Sequence, residues 1–176
     1  MVFDLTDCIS RRFEKYPGTQ LMLRVFGGHD RARFHVSAFA HGPEDGSSER
    51  ATVRKTSDSF VDVSTETSAD AAAALRDAKL DILIDYDGMH GFNSMEVLSL
   101  RPAPLQLTWL GFAGSSGSSA TVDVLVADSV VAPPEESPHY AEALLYLPHT
   151  CVEIGSIVFG ALLSFAWHCG AEAGSC

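Results

Sequence analysis

Positive charge is the first thing the chain is short of. Twelve Lys and Arg face twenty-three Asp and Glu over 176 residues, a formal net charge of −11, and such a surface repels phosphate backbones and anionic lipid at long range. No nucleic-acid or membrane-surface partner is expected. Cysteine is scarce and unpatterned: Cys8, Cys151, Cys169 and Cys176 contain no CxxC pair, which fits neither a zinc site nor a disulfide framework and points to a reducing compartment. No basic stretch followed by a long apolar run opens the chain, so no secretory signal is read there. Ile154 to Trp167 is uncharged and apolar, yet shorter than the roughly 20 residues a bilayer-crossing helix needs.

Several sequence signatures are missing as well. The glycines Gly111, Gly114 and Gly117 follow a β-like run, where backbone N–H groups can approach an anion, but their spacing is not GxGxxG and no helix opening follows. Pattern alone leaves a ligand loop and a plain flexible loop both open. Ser115, Ser116, Ser118 and Ser119 form no GxSxG elbow, so Ser/His/Asp hydrolase chemistry is not supported. Asp85 and Asp87 share one side of a strand end, a spacing that can hold a divalent metal, but no further carboxylate or histidine completes a shell, so no metal site is expected. His90 and His149 stand singly in loops, capable of acid/base work but with no base or nucleophile beside them.

What the chain does have is apolar content of 46% and aromatic content of 9%, enough for one core and one domain at this length. Leu21, Met22, Val25 and Phe26 share a helical face, predicting a short helix over 19–26 closed by Gly27. Alternation in "RFHVSAFA" predicts a strand, "HGPEDGSSER" at 41–50 an exposed loop, and "FVDV" at 60–63 another strand. Thr67 with Asp70 three residues on resembles a capping box and predicts a helix over 68–78. "DILIDYDG" is a compact strand-like run, "NSMEVLSLRP" offers Asn93 as a helix cap and Pro102 as a stop, and "LQLTWL" and "VDVLVAD" are two further strands. A short helix at 139–143 and a last strand "LLYLP" complete the series. Strand and helix alternating at this spacing imply βαβ units, hence an α/β, Rossmann-like parallel sheet.

The run "LRPAPLQLTWLGFAGSSG" resembles the RPAP and WLG signature of the O-linked N-acetylglucosamine transferases, a family that also contains the SPINDLY-type protein O-fucosyltransferases. "LDILIDYDG" before it and "VDVLVADSVVAPPEESPHYAEALLYLPHT" after it agree in order and spacing, and the likeness covers about residues 9–150. The resemblance implies a GT-B type glycosyltransferase of two Rossmann-like lobes preceded by tetratricopeptide repeats, of which this chain matches the first lobe only. It implies inverting, metal-free transfer of GlcNAc from UDP-GlcNAc to Ser or Thr of cytoplasmic or nuclear proteins, with no cofactor beyond the donor. Carried over, Leu110, Gly111 and the backbone at Ala113 would line the donor sugar; the family's usual proline is Ala113 here, so a less rigid loop is expected.

Other departures bear on catalysis. Tyr16, before Pro17, stands where the family has a histidine, and Arg12 where it has an acidic residue. A phenol, which in its reference state releases a proton only near pH 10, does not replace imidazole as a neutral-pH shuttle. Ser94 stands where an arginine is common. After Thr150 the likeness stops, and residues 151–176 form an apolar tail foreign to the family, expected to be disordered or an artefact of the gene model. The expectation is therefore an N-terminal catalytic lobe over 1–150 that is inactive alone, because transition-state stabilisation draws on both sides of a cleft. Two alternatives stay open: a noncatalytic α/β interaction module derived from that lobe, and an O-fucosyltransferase relative using GDP-fucose.

Overall fold

In the computed structural model, residues 6–10, 13–89, 94–112 and 114–148 are described. Seven parallel strands form one sheet in the order β3-β2-β1-β4-β5-β6-β7. The elements run β1 (Thr6–Ser10), α1 (Pro17–Gly28), β2 (Val36–Ala40), α2 (Ser48–Thr56), β3 (Ser59–Asp62), α3 (Ser68–Asp77), β4 (Ile82–Asp85), α4 (Met95–Ser99), β5 (Leu105–Trp109), β6 (Val124–Ala127), a 3₁₀ turn (Pro134–His139) and β7 (Ala143–Tyr146). This is the α/β, Rossmann-like parallel sheet that the alternation of strand and helix implies.

The two faces of the sheet bury two apolar clusters, and strand alternation assigns residues to them. Val36, Ala38 and Ala40 of β2 and Ile82 and Ile84 of β4 pack with Met22, Val25, Phe26 and Val53 of α1 and α2. Phe39 and Leu83, the odd members of those strands, pack instead with Ala71, Ala72, Leu75, Val97 and Leu98 of α3 and α4. Chain order explains the split. From β1 the chain steps outward through β2 to β3, then returns to the far side of β1 and steps the other way from β4. Right-handed crossovers therefore place α1 and α2 on one face, α3 and α4 on the other. β1 and β4, neighbours in the sheet, lead in opposite directions. Ligands of open α/β sheets bind in the crevice beyond the carboxyl ends of two such strands.

Several local expectations need correction. The polar stretch at 41–50 is only partly loop: Ser47 caps α2, its hydroxyl accepting from the Arg50 N–H at 3.2 Å. That helix is polar along most of its length and buries Arg50, whose guanidinium donates to Glu44, to the Gly42 carbonyl and to Asp62. No helix forms over 139–143; the turn lies earlier, over Pro134–His139, with Pro138 inside it, because proline removes the N–H a longer helix would need. α1 is longer than the apolar face suggested, starting at Pro17, whose fixed φ suits the first helical position. The cap of α4 is Ser94, and Asn93, proposed as that cap, lies outside the described residues.

Candidate functional site

The site is built where β1, β4 and β5 end side by side. β1 closes on Ser10, β4 on Asp85, and the turn Tyr86–Gly88 follows; β5 closes on Trp109, followed by Leu110–Phe112. An aromatic series supports these ends from the α1 face: the Phe13 and Phe26 rings lie 5.5 Å apart edge to face, Phe26 and Tyr86 6.2 Å, and Tyr86 and Trp109 5.3 Å. The strand ends and α1 thus share one packed layer beneath the crevice.

Asp85 and Asp87 are brought together as their spacing suggested, and both are completely buried. Asp85 accepts from the Asp87 N–H at 3.2 Å, the Gly88 N–H at 2.7 Å and the Thr108 hydroxyl at 3.3 Å. Asp87 accepts from the Ser10 hydroxyl at 2.9 Å and the Ser94 hydroxyl at 3.4 Å. The carboxylate oxygens are thus spent on joining β1, β4, β5 and the start of α4. Burial, reinforced by the charge of Asp87 and opposed by the Gly88, Asp87 and Thr108 donors, pushes the Asp85 carboxyl up to about 7. Among the described residues no group of three or more His, Cys, Asp or Glu is placed to hold a metal ion.

The turn after β4 and the segment after β5 interlock. A Cβ on Gly111 would stand 2.0 Å from the Tyr86 carbonyl oxygen and 2.6 Å from that of Asp87, so only glycine lets the two backbones touch. Leu110 beside it is held at φ 75°, a conformation that costs a side chain of its size about 1–2 kcal/mol. Such strain persists where the surroundings over-determine it, and it clusters at functional sites.

Of the residues singled out from sequence, Leu110 and Gly111 lie at this crevice, whereas Ala113, Arg12, His90 and His149 fall outside the described residues. Tyr16 lies at the same edge as the residue before α1, with Pro17 at the first helical position, and is 37% exposed. Ser94 is buried against Asp87. The glycine-serine stretch does not dangle. No helix lies among the described residues between Gly111 and Asp123, whose N–H donates to the Gln106 carbonyl at 2.8 Å at the opposite, amino edge of the sheet. On the way Ser115 donates to Glu142 at 2.8 Å, and the Ser116 N–H bonds the same carboxylate. Sequence reasoning missed Glu142 entirely.

The RPAP portion of the signature is scaffold. Arg101 donates to Asp123 at 2.9 Å and to the Pro104 carbonyl at 3.0 Å, and Asp123 also accepts from the Gln106 N–H at 2.8 Å. Gln106, fully buried, ties the Leu98 carbonyl of α4 to the Thr121 carbonyl. These groups fix the entry of β5, and Trp109 to Phe112 occupy its site end.

No helix among the described residues is long and apolar enough to cross a membrane. The family model described as glycosyl transferase family 41 matches residues 6–157. The chain is 33% identical over 141 residues to a probable UDP-N-acetylglucosamine–peptide N-acetylglucosaminyltransferase SEC of Arabidopsis thaliana, covering 80% of this chain and 14% of that protein. It is 34% identical over 143 residues to the UDP-N-acetylglucosamine–peptide N-acetylglucosaminyltransferase of Caenorhabditis elegans, covering 81% of this chain and 12% of that one. Among solved structures, an O-GlcNAc transferase mutant from Thermobaculum terrenum superposes with a TM-score of 0.79 at 28% identity, over 85% of this chain and 28% of that one. The chain thus spans only a small part of the length of its relatives. A family match over most of the residues, together with a shared fold, makes this chain a member of glycosyl transferase family 41.

Proposed function

We propose that the chain is the first, donor-facing lobe of a protein O-GlcNAc transferase, in which Leu110, Gly111 and the backbone at Ala113 line the sugar of UDP-GlcNAc. The observation that carries this is the interlock at the carboxyl ends of β4 and β5: a strained Leu110 and a Gly111 pressed on the Tyr86 and Asp87 carbonyls. Close backbone approach of this kind suits a pocket for a small polar ring. The names of the relatives supply the donor class.

Within this reading the acceptors are Ser and Thr side chains of cytoplasmic or nuclear proteins, the transfer inverts the anomeric centre, and neither metal nor cofactor takes part. Tetratricopeptide repeats and a second lobe complete the enzyme. The present residues position and do not deprotonate: Asp85 and Asp87 are sealed from solvent, and Tyr16 occupies the place of the family's histidine. The isolated chain is accordingly inactive.

Isothermal titration with UDP-GlcNAc, UDP and GDP-fucose is the test. Binding of UDP-GlcNAc, unchanged by chelator, supports the reading; preference for GDP-fucose turns it into an O-fucosyltransferase lobe. Silence toward all three favours a noncatalytic interaction module, a reading that the tyrosine at position 16 also supports. Turnover of a Ser/Thr peptide by the chain alone would overturn the inactivity.

A further inference from the structure

The aromatic residues packed beneath the crevice, Phe13, Phe26, Tyr86 and Trp109, are all buried. Phe112 differs from them: it is 40% exposed and belongs to neither apolar cluster, so core packing does not account for it. A single exposed apolar side chain needs no explanation by itself, but this one is held. A Cβ on Gly88 would stand 2.5 Å from the Phe112 Cβ and 3.2 Å from its backbone nitrogen, and a Cβ on Gly114 would stand 2.9 Å from its Cε1. The root of the side chain and one edge of its ring thus rest on bare backbone, and a side chain at either glycine would displace them.

The same contacts fix where the residue stands. Phe112 follows β5, yet Gly88 belongs to the turn after β4, so the base of the Phe112 side chain lies beyond the carboxyl end of β4. That strand and β1 lead in opposite directions and bound the crevice in which open α/β sheets take their ligands. An aromatic face is negative, and it attracts the slightly positive C–H bonds that cover one face of a hexose ring. The hydroxyls of such a ring lie at its rim, free for polar partners, so one apolar wall and close backbone suit it together.

We propose that Phe112 is a specificity-determining residue for the donor: its ring packs against the apolar face of the hexose, beside the Leu110–Gly111 backbone. The proposal rests on the donor reading given above and adds to it a side chain that recognises the sugar and not the nucleotide. Because Gly88 and Gly114 hold the ring before any ligand arrives, little conformational freedom is lost when the hexose meets it.

Isothermal titration of the 176-residue chain and its variants, with UDP-GlcNAc and with UDP, tests it. Phe112→Ala should weaken UDP-GlcNAc about five- to tenfold, the size of one aromatic contact, and leave UDP unchanged. Phe112→Tyr, which keeps the ring face, should bind both as the wild type does. Phe112→Leu fills the same space without an aromatic face; it should also lose affinity for UDP-GlcNAc alone, and it is read instead if the alanine variant unfolds. Val130→Ala, which trims an exposed apolar side chain beyond β6, should change neither affinity. Unchanged UDP-GlcNAc binding in the alanine and leucine variants overturns the proposal. Equal loss for both ligands also overturns it, since the ring then serves the uracil or the fold. A wild-type chain that binds UDP-GlcNAc no more tightly than UDP overturns the sugar contact and leaves the nucleotide reading standing, whereas one that binds neither overturns the donor reading and the contact with it.

Discussion

Gly88 faces Phe112 so closely that a Cβ on the glycine would stand 2.5 Å from the Phe112 Cβ, while Gly88 itself adopts φ 61°. With Gly111 lodged against Tyr86, each of the two connections carries a glycine that admits the other. Gly111→Ala should therefore destabilise the chain by about 3 kcal/mol or more in urea unfolding, because rigid backbone carbonyls, not a movable side chain, oppose the new methyl. Gly117→Ala is the comparator: its φ is 75° but nothing lies within 4 Å, so it should cost only about 1–2 kcal/mol, the conformational penalty alone.

Leu110→Gly separates strain from binding. Removing the side chain relieves about 1–2 kcal/mol of left-handed strain and forfeits a similar amount from a half-buried leucine packed on the α1-side cluster. Thermal unfolding should shift little in either direction. Donor affinity should fall, since a glycine at 110 frees the backbone that the pocket needs fixed; unchanged affinity would remove Leu110 from the donor site.

The pH dependence of stability follows from opposite shifts. Asp85 is raised to about 7 in the folded chain, so it binds its proton more tightly folded than unfolded. Its contribution is complete below the ordinary carboxylate range and is lost as pH rises through 7. Asp58, Asp62 and Glu142 are held below their ordinary values, burial being outweighed in each by hydrogen bonds and, for the first two, nearby cationic side chains; what they contribute is lost as pH falls through their folded values. Stability should peak in the ordinary carboxylate range, about pH 4 to 4.5, and decline by on the order of a few kcal/mol until the pH passes about 7. Asp85→Asn should flatten that decline, and denaturation profiles of both proteins between pH 5 and 8 decide the matter.

Arg50→Met tests a region remote from the crevice. The guanidinium is 1% exposed and lies over the Phe60 ring at 5.5 Å while bonding Glu44 and Asp62, which are about half exposed. Water around those partners softens the loss, but the buried head and stem are not replaced in kind, so about 2–3 kcal/mol of stability should go. Nucleotide-sugar binding should stay as it was, because α2 and β3 flank the opposite half of the sheet.

Local chemistry made some elements readable. The Thr67 hydroxyl accepts from the Asp70 N–H at 3.2 Å and donates to the Asp70 carboxylate at 2.7 Å, so the start of α3 is written in four consecutive residues. The α2 segment has no comparable apolar stripe: Val53 is its buried hydrophobic residue, and Arg50 ties it to groups the helix pattern does not reveal. β1 is short, and its register partners lie about thirty and more than seventy residues downstream, beyond the reach of periodicity. The same limit governs the site. Leu110 and Gly111 are found by motif resemblance, whereas the Ser115–Glu142 bond joins residues 27 positions apart with no signature in either.

The strand order also bears on how the sheet is made. β2 and β3 extend it from one side of β1, and β4, β5, β6 and β7 from the other, each in the order of the chain. Each of the described strands thus meets an edge already waiting when it leaves the ribosome, and none of these has to be threaded between two that have paired. Growth by accretion lets the sheet widen as it is synthesised, with its slow, distant pairings reduced to one event: the return of β4 to the free side of β1.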